Sequence, residues 1–161
     1  TSFVKGRRVD DNVHLMLRYK GGAKGMLWAG QVAVGHENGL KIRVYGTKGG
    51  IEWVQADPNY LWYTPYGEPM RRITRGGAGS NAPSGRVTRV PPGHPEGYLE
   101  AFANIYLAFA GQIRAQEAGS LPSARARDCP GINDAIRGMT FIELAVAASA
   151  SDVKWHTFPQ H

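Results

Sequence analysis

Alternating apolar and polar residues joined by very short connections fill the first half of the chain, and together these features leave few folds available. Val13, Leu15, Leu17 and Tyr19 alternate with His14, Met16 and Arg18, and Gly21-Gly22 turns the chain into a second strand over 24–34. Leu40, Ile42 and Val44 alternate with Lys41, Arg43 and Tyr45. Gly46-Thr47-Lys48-Gly49-Gly50 then turns into a strand over 51–55, Asp57-Pro58-Asn59 into another over 60–64, and residues 69–74 add a last one. A parallel crossover needs about a dozen residues or more, so these neighbours are antiparallel.

The second half changes period. In Gly93-His94-Pro95-Glu96-Gly97-Tyr98-Leu99-Glu100-Ala101-Phe102-Ala103-Asn104, Pro95 has φ preset for a first helical turn, and Glu96 brings negative charge to a helix N-terminus. Leu99, Phe102, Ala103, Tyr106, Phe109, Ala110 and Ile113 then recur at helical spacing, which predicts a helix over 96–117 ending near Gly119, with an apolar stripe to bury. A second helix is expected over 133–149. Ile136, Met139, Ile142, Glu143 and Val146 lie on one side, with Phe141, Ala145 and Ala148 beside it. Val153, Trp155 and Thr157 alternate in a closing strand. Strands followed by helices give an α+β class: an open, predominantly antiparallel sheet with helices packed on one face.

At 161 residues, 42% hydrophobic and 20% charged, the chain is expected to form one domain with a sizeable core. No stretch has the ~18 unbroken apolar residues of a membrane span. The single cysteine, Cys129, rules out an internal disulfide and fits a reducing compartment, the cytoplasm. His14, His36, His94, His156 and His161 show no metal-ligand spacing, and no Ser sits in a nucleophile elbow. The net charge of +6 gathers around Arg71, Arg72, Arg75, Arg86 and Arg89. Without interleaved aromatic residues, this stretch reads as a solvated, flexible loop over 75–92 rather than a nucleic-acid site. Gly77-Ala78-Gly79-Ser80-Asn81-Ala82 formally matches a dinucleotide fingerprint, but Arg-rich sequence precedes it and Pro83 follows.

Trp28, Trp53, Trp62, Tyr45, Tyr60 and Tyr63 provide more aromatic surface than one pair of helices needs to cover, so the open sheet face is expected to form a subunit interface in a homo-oligomer. His94 immediately precedes the longer helix, where a loop residue can face a ligand; the plainer reading is an ordinary loop residue. Asn38-Gly39 reads locally as a turn pair that tolerates positive φ. His14 and Trp28, on strands, read as packing residues.

Three motifs at their spacing carry a resemblance: Val9-Asp10-Asp11-Asn12-Val13-His14-Leu15-Met16-Leu17-Arg18-Tyr19, then Leu40-Lys41-Ile42-Arg43-Val44-Tyr45-Gly46-Thr47-Lys48-Gly49-Gly50-Ile51, then Gly93-His94-Pro95-Glu96-Gly97-Tyr98. The chain resembles the C-terminal domain of the glucose-fructose oxidoreductase, inositol dehydrogenase and rhizopine-catabolism family, Gfo/Idh/MocA, over nearly its whole length except 75–90. The resemblance implies an α+β substrate and oligomerisation domain over 1–161, preceded in an intact enzyme by a Rossmann domain that holds NAD or NADP. It also implies hydride transfer to or from a sugar, inositol or related polyol, with His36, Asn38 and His94 near the substrate. The family's Glu-Lys-Pro lysine and Asp/His pair are not in this sequence, so the chain is expected to be N-terminally incomplete, to bind no dinucleotide and to be inactive by itself. Two other readings stand beside this one: a non-catalytic scaffolding or partner module of the same fold, and a basic nucleic-acid-binding domain.

Overall fold

The computed structural model describes residues 1–159, which gather into two units: Thr1–Glu37 with the segment from Pro130 onward, and Asn38–Cys129. The chain is α+β, with antiparallel sheets accompanied by helices.

The first unit is built on a hairpin of β1 (Asn12–Arg18) and β2 (Lys24–Gly30). Its register places His14 opposite Trp28 and Met16 opposite Met26. These four side chains share one face; Trp28, Met16 and Met26 are all more than half exposed, while Leu15 and Leu17 point to the half-buried side. The His14 and Trp28 rings lie 5.7 Å apart across the strands, and the indole N–H of Trp28 donates to Asn12 at 2.8 Å. β2 ends at Gly30, four residues short of the expected strand, because Val32 to His36 turn back on themselves through short-range bonds.

Asp11 ties down the segment before β1. Its buried carboxylate accepts the amide protons of Phe3 (2.9 Å) and Val4 (3.1 Å) and faces Arg7 at 3.4 Å. At the C-terminal end, the expected closing strand over 153–157 does not form. Trp155 is held instead through its ring, under the Arg18 guanidinium at 3.7 Å, so side-chain stacking replaces a backbone ladder.

The second unit contains one sheet in the order β3-β4-β5-β6: β3 (Lys41–Gly46), β4 (Gly49–Val54), β5 (Tyr60–Pro65) and β6 (Arg71–Thr74). Ile42, Trp53, Leu61 and Ile73 align as one apolar row across it, and Lys41 and Glu52 pair at 2.8 Å on the opposite face. The alternation therefore divides the aromatic residues, with Trp53 and Tyr63 on the apolar face and Tyr45, Tyr60 and Trp62 on the other. The β3–β4 hairpin requires glycine at Gly49, where φ is +149° and a Cβ would lie 2.4 Å from the Thr64 carbonyl oxygen. Within the 75–92 stretch expected as a loop, α1 (Ala82–Val87) forms. Asn81 caps it by accepting the Ser84 N–H at 3.0 Å, and Pro83 lies in its first turn.

α2 (Tyr98–Glu117) starts two residues later than the sequence suggests, because Glu100 rather than Glu96 caps it by accepting the Gly97 N–H at 2.8 Å. This bond is the first cause holding the Glu100 carboxyl below its ordinary range. α3 (Ile132–Ser149), in the first unit, repeats the device, Asp134 accepting the Gly131 N–H at 2.8 Å. On both helices the covered line differs from the expected stripe. On α2 it runs through Asn104, Ala108, Gln112 and Ala115, while Leu99, Phe102, Tyr106, Phe109 and Ile113 stay exposed. On α3 it runs through Phe141, Leu144, Ala145 and Ala148. Gln112 fastens α2 to the 123–129 segment, donating to the Ala126 carbonyl at 2.8 Å and to Cys129 Sγ at 3.1 Å.

The Phe3 amide is the foremost cause lowering the Asp11 carboxyl from its ordinary value; burial opposes it, and Val4, Arg7 and Ser2 add to the lowering. A depressed folded-state value means that the stabilisation is complete above the ordinary aspartate range and is lost as pH falls through the folded value. Hydrogen-exchange protection of the Phe3 and Val4 amides is thus expected to hold at neutral pH and to drop on acidification below that range. Protection that stays constant across it would show that the carboxylate does not anchor the segment.

Candidate functional site

The loop between α1 and α2 carries His94, and a buried carboxylate organises it. Glu96 has a side chain only 3% exposed. It faces the Arg75 guanidinium at 2.6 Å and that of Arg89 at 3.6 Å, and it accepts the Arg89 N–H at 2.9 Å on one oxygen and 3.1 Å on the other. A carboxylate withdrawn from water needs this many donors, because an uncompensated buried charge is very costly.

Arg75, just beyond β6, uses the rest of its fork on the surrounding backbone. Its Nε donates to Asn59 Oδ1 at 2.8 Å, Nη1 to the Val90 carbonyl at 3.0 Å and Nη2 to the His94 carbonyl at 2.7 Å. Asn59 also accepts the Glu96 N–H at 3.2 Å, and its carbonyl accepts the Arg75 N–H at 2.8 Å. The turn between β4 and β5, the end of β6 and the entry to α2 therefore meet on one ion pair.

His94 itself is exposed. Its N–H donates to the Pro91 carbonyl at 3.3 Å, closing a turn whose central residues are Pro92 and Gly93, with Gly93 at φ +90°. Its Nδ1 lies 3.3 Å from the same oxygen. Asn38 is exposed in the same unit, at the entry to β3, and its carbonyl accepts a bond from Gln55 at 3.1 Å. His36 is exposed in the other unit, its N–H donating to the Ala33 carbonyl at 3.1 Å. No hydrogen bond joins Asn38 to His94 among the described residues. An open cleft of about 750 Å³, lined by Tyr45, Ile51, Trp62, Tyr66 and Met70 among others, lies by the β3–β4 hairpin and includes none of the three candidates.

Arg75, Glu96 and Asn59 carry no sequence signal as a group. Glu96 reads locally as a helix-dipole residue and Arg75 as part of a basic loop, and only the fold brings them together across the intervening 20 residues or so. The same packing answers the cationic cluster: Arg71 pairs with Glu68, Arg72 lies 4.4 Å over Tyr60, Arg86 faces Asp128 at 3.5 Å, and Arg89 donates to Asn104 at 2.7 Å. Each of these four guanidinium groups thus has a partner within the fold.

The Gly77–Ala82 stretch does not form a dinucleotide cradle. The Gly77 to Ala82 stretch does run from a strand into a helix, but β6 is an antiparallel edge strand and α1 has six residues, with its N-terminus already capped by Asn81. A pyrophosphate cradle needs free amides at the start of a longer helix following a parallel strand. No helix among the described residues is long and apolar enough to cross a membrane.

A family model of the GFO/IDH/MocA C-terminal domain matches residues 1–52. Along its length the chain is similar to the uncharacterized oxidoreductase YfiI of Bacillus subtilis (strain 168), 34% identical over 158 residues, a match covering 98% of the chain and 40% of YfiI. An oxidoreductase from Sinorhizobium meliloti matches it with a TM-score of 0.90 at 53% identity, covering 98% of the chain and 44% of that structure. An inositol dehydrogenase homolog from Azotobacter vinelandii, complexed with NADH and myo-inositol, matches with a TM-score of 0.86 at 33% identity, covering 93% and 40%. The chain thus spans 40% to 44% of the length of these relatives.

Replacing Glu96 with alanine leaves the Arg75 guanidinium, 14% exposed, without its counter-charge. Glu96→Ala is expected to lower unfolding stability by about 3–5 kcal/mol in urea titration. A loss under about 1 kcal/mol, the range of exposed pairs, would show that the carboxylate is not a structural anchor.

Proposed function

We propose that the chain is the substrate-binding and oligomerisation portion of an NAD(P)-dependent oxidoreductase that acts on an inositol, a sugar or a related polyol by hydride transfer. The observation that carries this reading is the similarity to the inositol dehydrogenase homolog solved with NADH and myo-inositol, which extends over 93% of the chain. The dinucleotide and the groups that move the carbinol proton are assigned to parts of the full-length protein other than this chain. The contribution of this chain is to hold and orient hydroxyls. His94 and Asn38 on loops of one unit, and His36 on a loop of the other taken by itself, offer imidazole and carboxamide groups that donate to and accept from vicinal hydroxyls. The single free thiol of Cys129 agrees with a reducing compartment, the cytoplasm.

The full-length protein is expected to reduce NAD+ or NADP+ in the presence of at least one polyol from a panel that includes myo-inositol. His94→Ala is expected to lower kcat/KM about tenfold, the worth of one hydrogen bond of about 1.4 kcal/mol. No turnover with any member of the panel would favour a scaffolding module instead, and unchanged kinetics in His94→Ala would remove His94 from the pocket.

The oligomerisation half of the proposal rests on the apolar sheet face. Ile42 (54% exposed), Val44 (51%) and Ile51 (37%) form an uncovered apolar patch at the β3 edge, which a second copy of the protein would bury. Sedimentation of the full-length protein at micromolar concentration is expected to give an oligomer, and a strict monomer would sink this half of the reading.

A further inference from the structure

We infer that Arg75 is a positioning residue for His94: it braces the turn ending at His94 so that the neutral imidazole keeps its proton on Nδ1 and presents Nε2 as an acceptor to a ligand hydroxyl. The choice of ligand rests on the polyol reading above. The tautomer rests on geometry alone.

Nδ1 of His94 lies 3.3 Å from the Pro91 carbonyl oxygen. A carbonyl has no proton to give, so this contact is a hydrogen bond only when Nδ1 is protonated, and the lone pair of a neutral ring is then on Nε2. A neutral histidine side chain free in water prefers the opposite tautomer, so the surroundings must select this one. The selection depends on keeping Pro91 O under the ring. The turn does this from inside, since the same oxygen accepts the His94 N–H across Pro92 and Gly93, with Gly93 at φ +90°.

Arg75 does it from outside. One guanidinium holds the Val90 carbonyl at 3.0 Å and the His94 carbonyl at 2.7 Å, one residue before the turn and at its last residue. The fork is in turn immobilised by Glu96 at 2.6 Å and Asn59 at 2.8 Å. A lysine at this position would keep the charge but, as a point donor on a flexible stem, would not span two carbonyls, an amide oxygen and a carboxylate at once. An Nε2 acceptor suits a ligand that brings an O–H, which is the chemistry of a polyol and not of a carboxylate or phosphate.

The test uses full-length protein labelled with 15N-histidine, in long-range proton–nitrogen spectra at a pH where the ring is neutral, the His94 signal being identified by its loss in His94→Ala. Wild-type His94 is expected to carry its proton on Nδ1, and Arg75→Lys to shift it to Nε2. With a polyol that the enzyme turns over, Arg75→Lys is expected to lower kcat/KM about tenfold, the scale on which small misplacements act. Combined with His94→Ala, it should cost no more than His94→Ala alone. A wild-type tautomer in Arg75→Lys, or losses that add in the double variant, would overturn the proposal. If Arg75→Lys does not fold, Asn59→Ala frees the Arg75 fork at Nε while leaving the ion pair with Glu96 in place, and a tautomer and kcat/KM both unchanged there would overturn it equally. Wild-type kinetics in His94→Ala alongside an Nδ1 proton would instead remove the polyol reading and leave the positioning intact.

Discussion

The Glu96 carboxylate is the point on which the 38–129 unit depends. It is buried, it lies next to Arg75 and Arg89, and through Arg75 it reaches Asn59, Val90 and His94. Two charges taken out of water repay the loss of hydration only with close geometry and with the remaining donors satisfied, so such a pair tolerates one arrangement of its surroundings. The arrangement it imposes brings three separate stretches of chain together: the β4–β5 turn, the end of β6 and the entry to α2. Rigidity at His94 follows from it.

Polar anchoring has this weight because the apolar core is small. Among the described residues, the hydrophobic side chains that fall in the buried class are Ala108 and Ala126, while the buried charged ones are Asp11 and Glu96. Where α2 meets the 123–129 segment, the contact uses small side chains and the Gln112 amide rather than the helix's large residues. Leu99, Phe102, Tyr106 and Phe109 remain exposed, as does the apolar edge at Ile42 and Val44. Apolar surface of this kind is open to a partner.

Much of the fold was legible because it depends on short-range rules. The alternation with short turns gave the strands of both sheets; helical spacing gave α2 and α3 to within two residues; three spaced motifs pointed to the family. The misses have physical reasons. The closing strand at 153–157 failed because alternation reports where side chains point, not whether a backbone partner exists. Helix α1 was hidden by Gly and Ser, although Asn81 followed by Pro83 is a start signal. The apolar stripe of α2 was read correctly as apolar and wrongly as buried, since periodicity identifies a face that seeks cover and says nothing of whether cover lies in the same chain. Of the candidate site, His36, Asn38 and His94 were legible as polar loop residues, whereas the brace behind His94 was not.

The sequence by itself determined the strands of both sheets, their antiparallel pairing and the two long helices, all of which follow from residues within a few positions of one another. Only the tertiary structure decided that Glu96 leaves the helix cap to Glu100 and takes Arg75 and Arg89 as partners, and that Arg75 holds the carbonyl of His94. Charge pairing across tens of residues is fixed by where the fold brings the groups and by how far it withdraws them from water, and neither is written in local spacing.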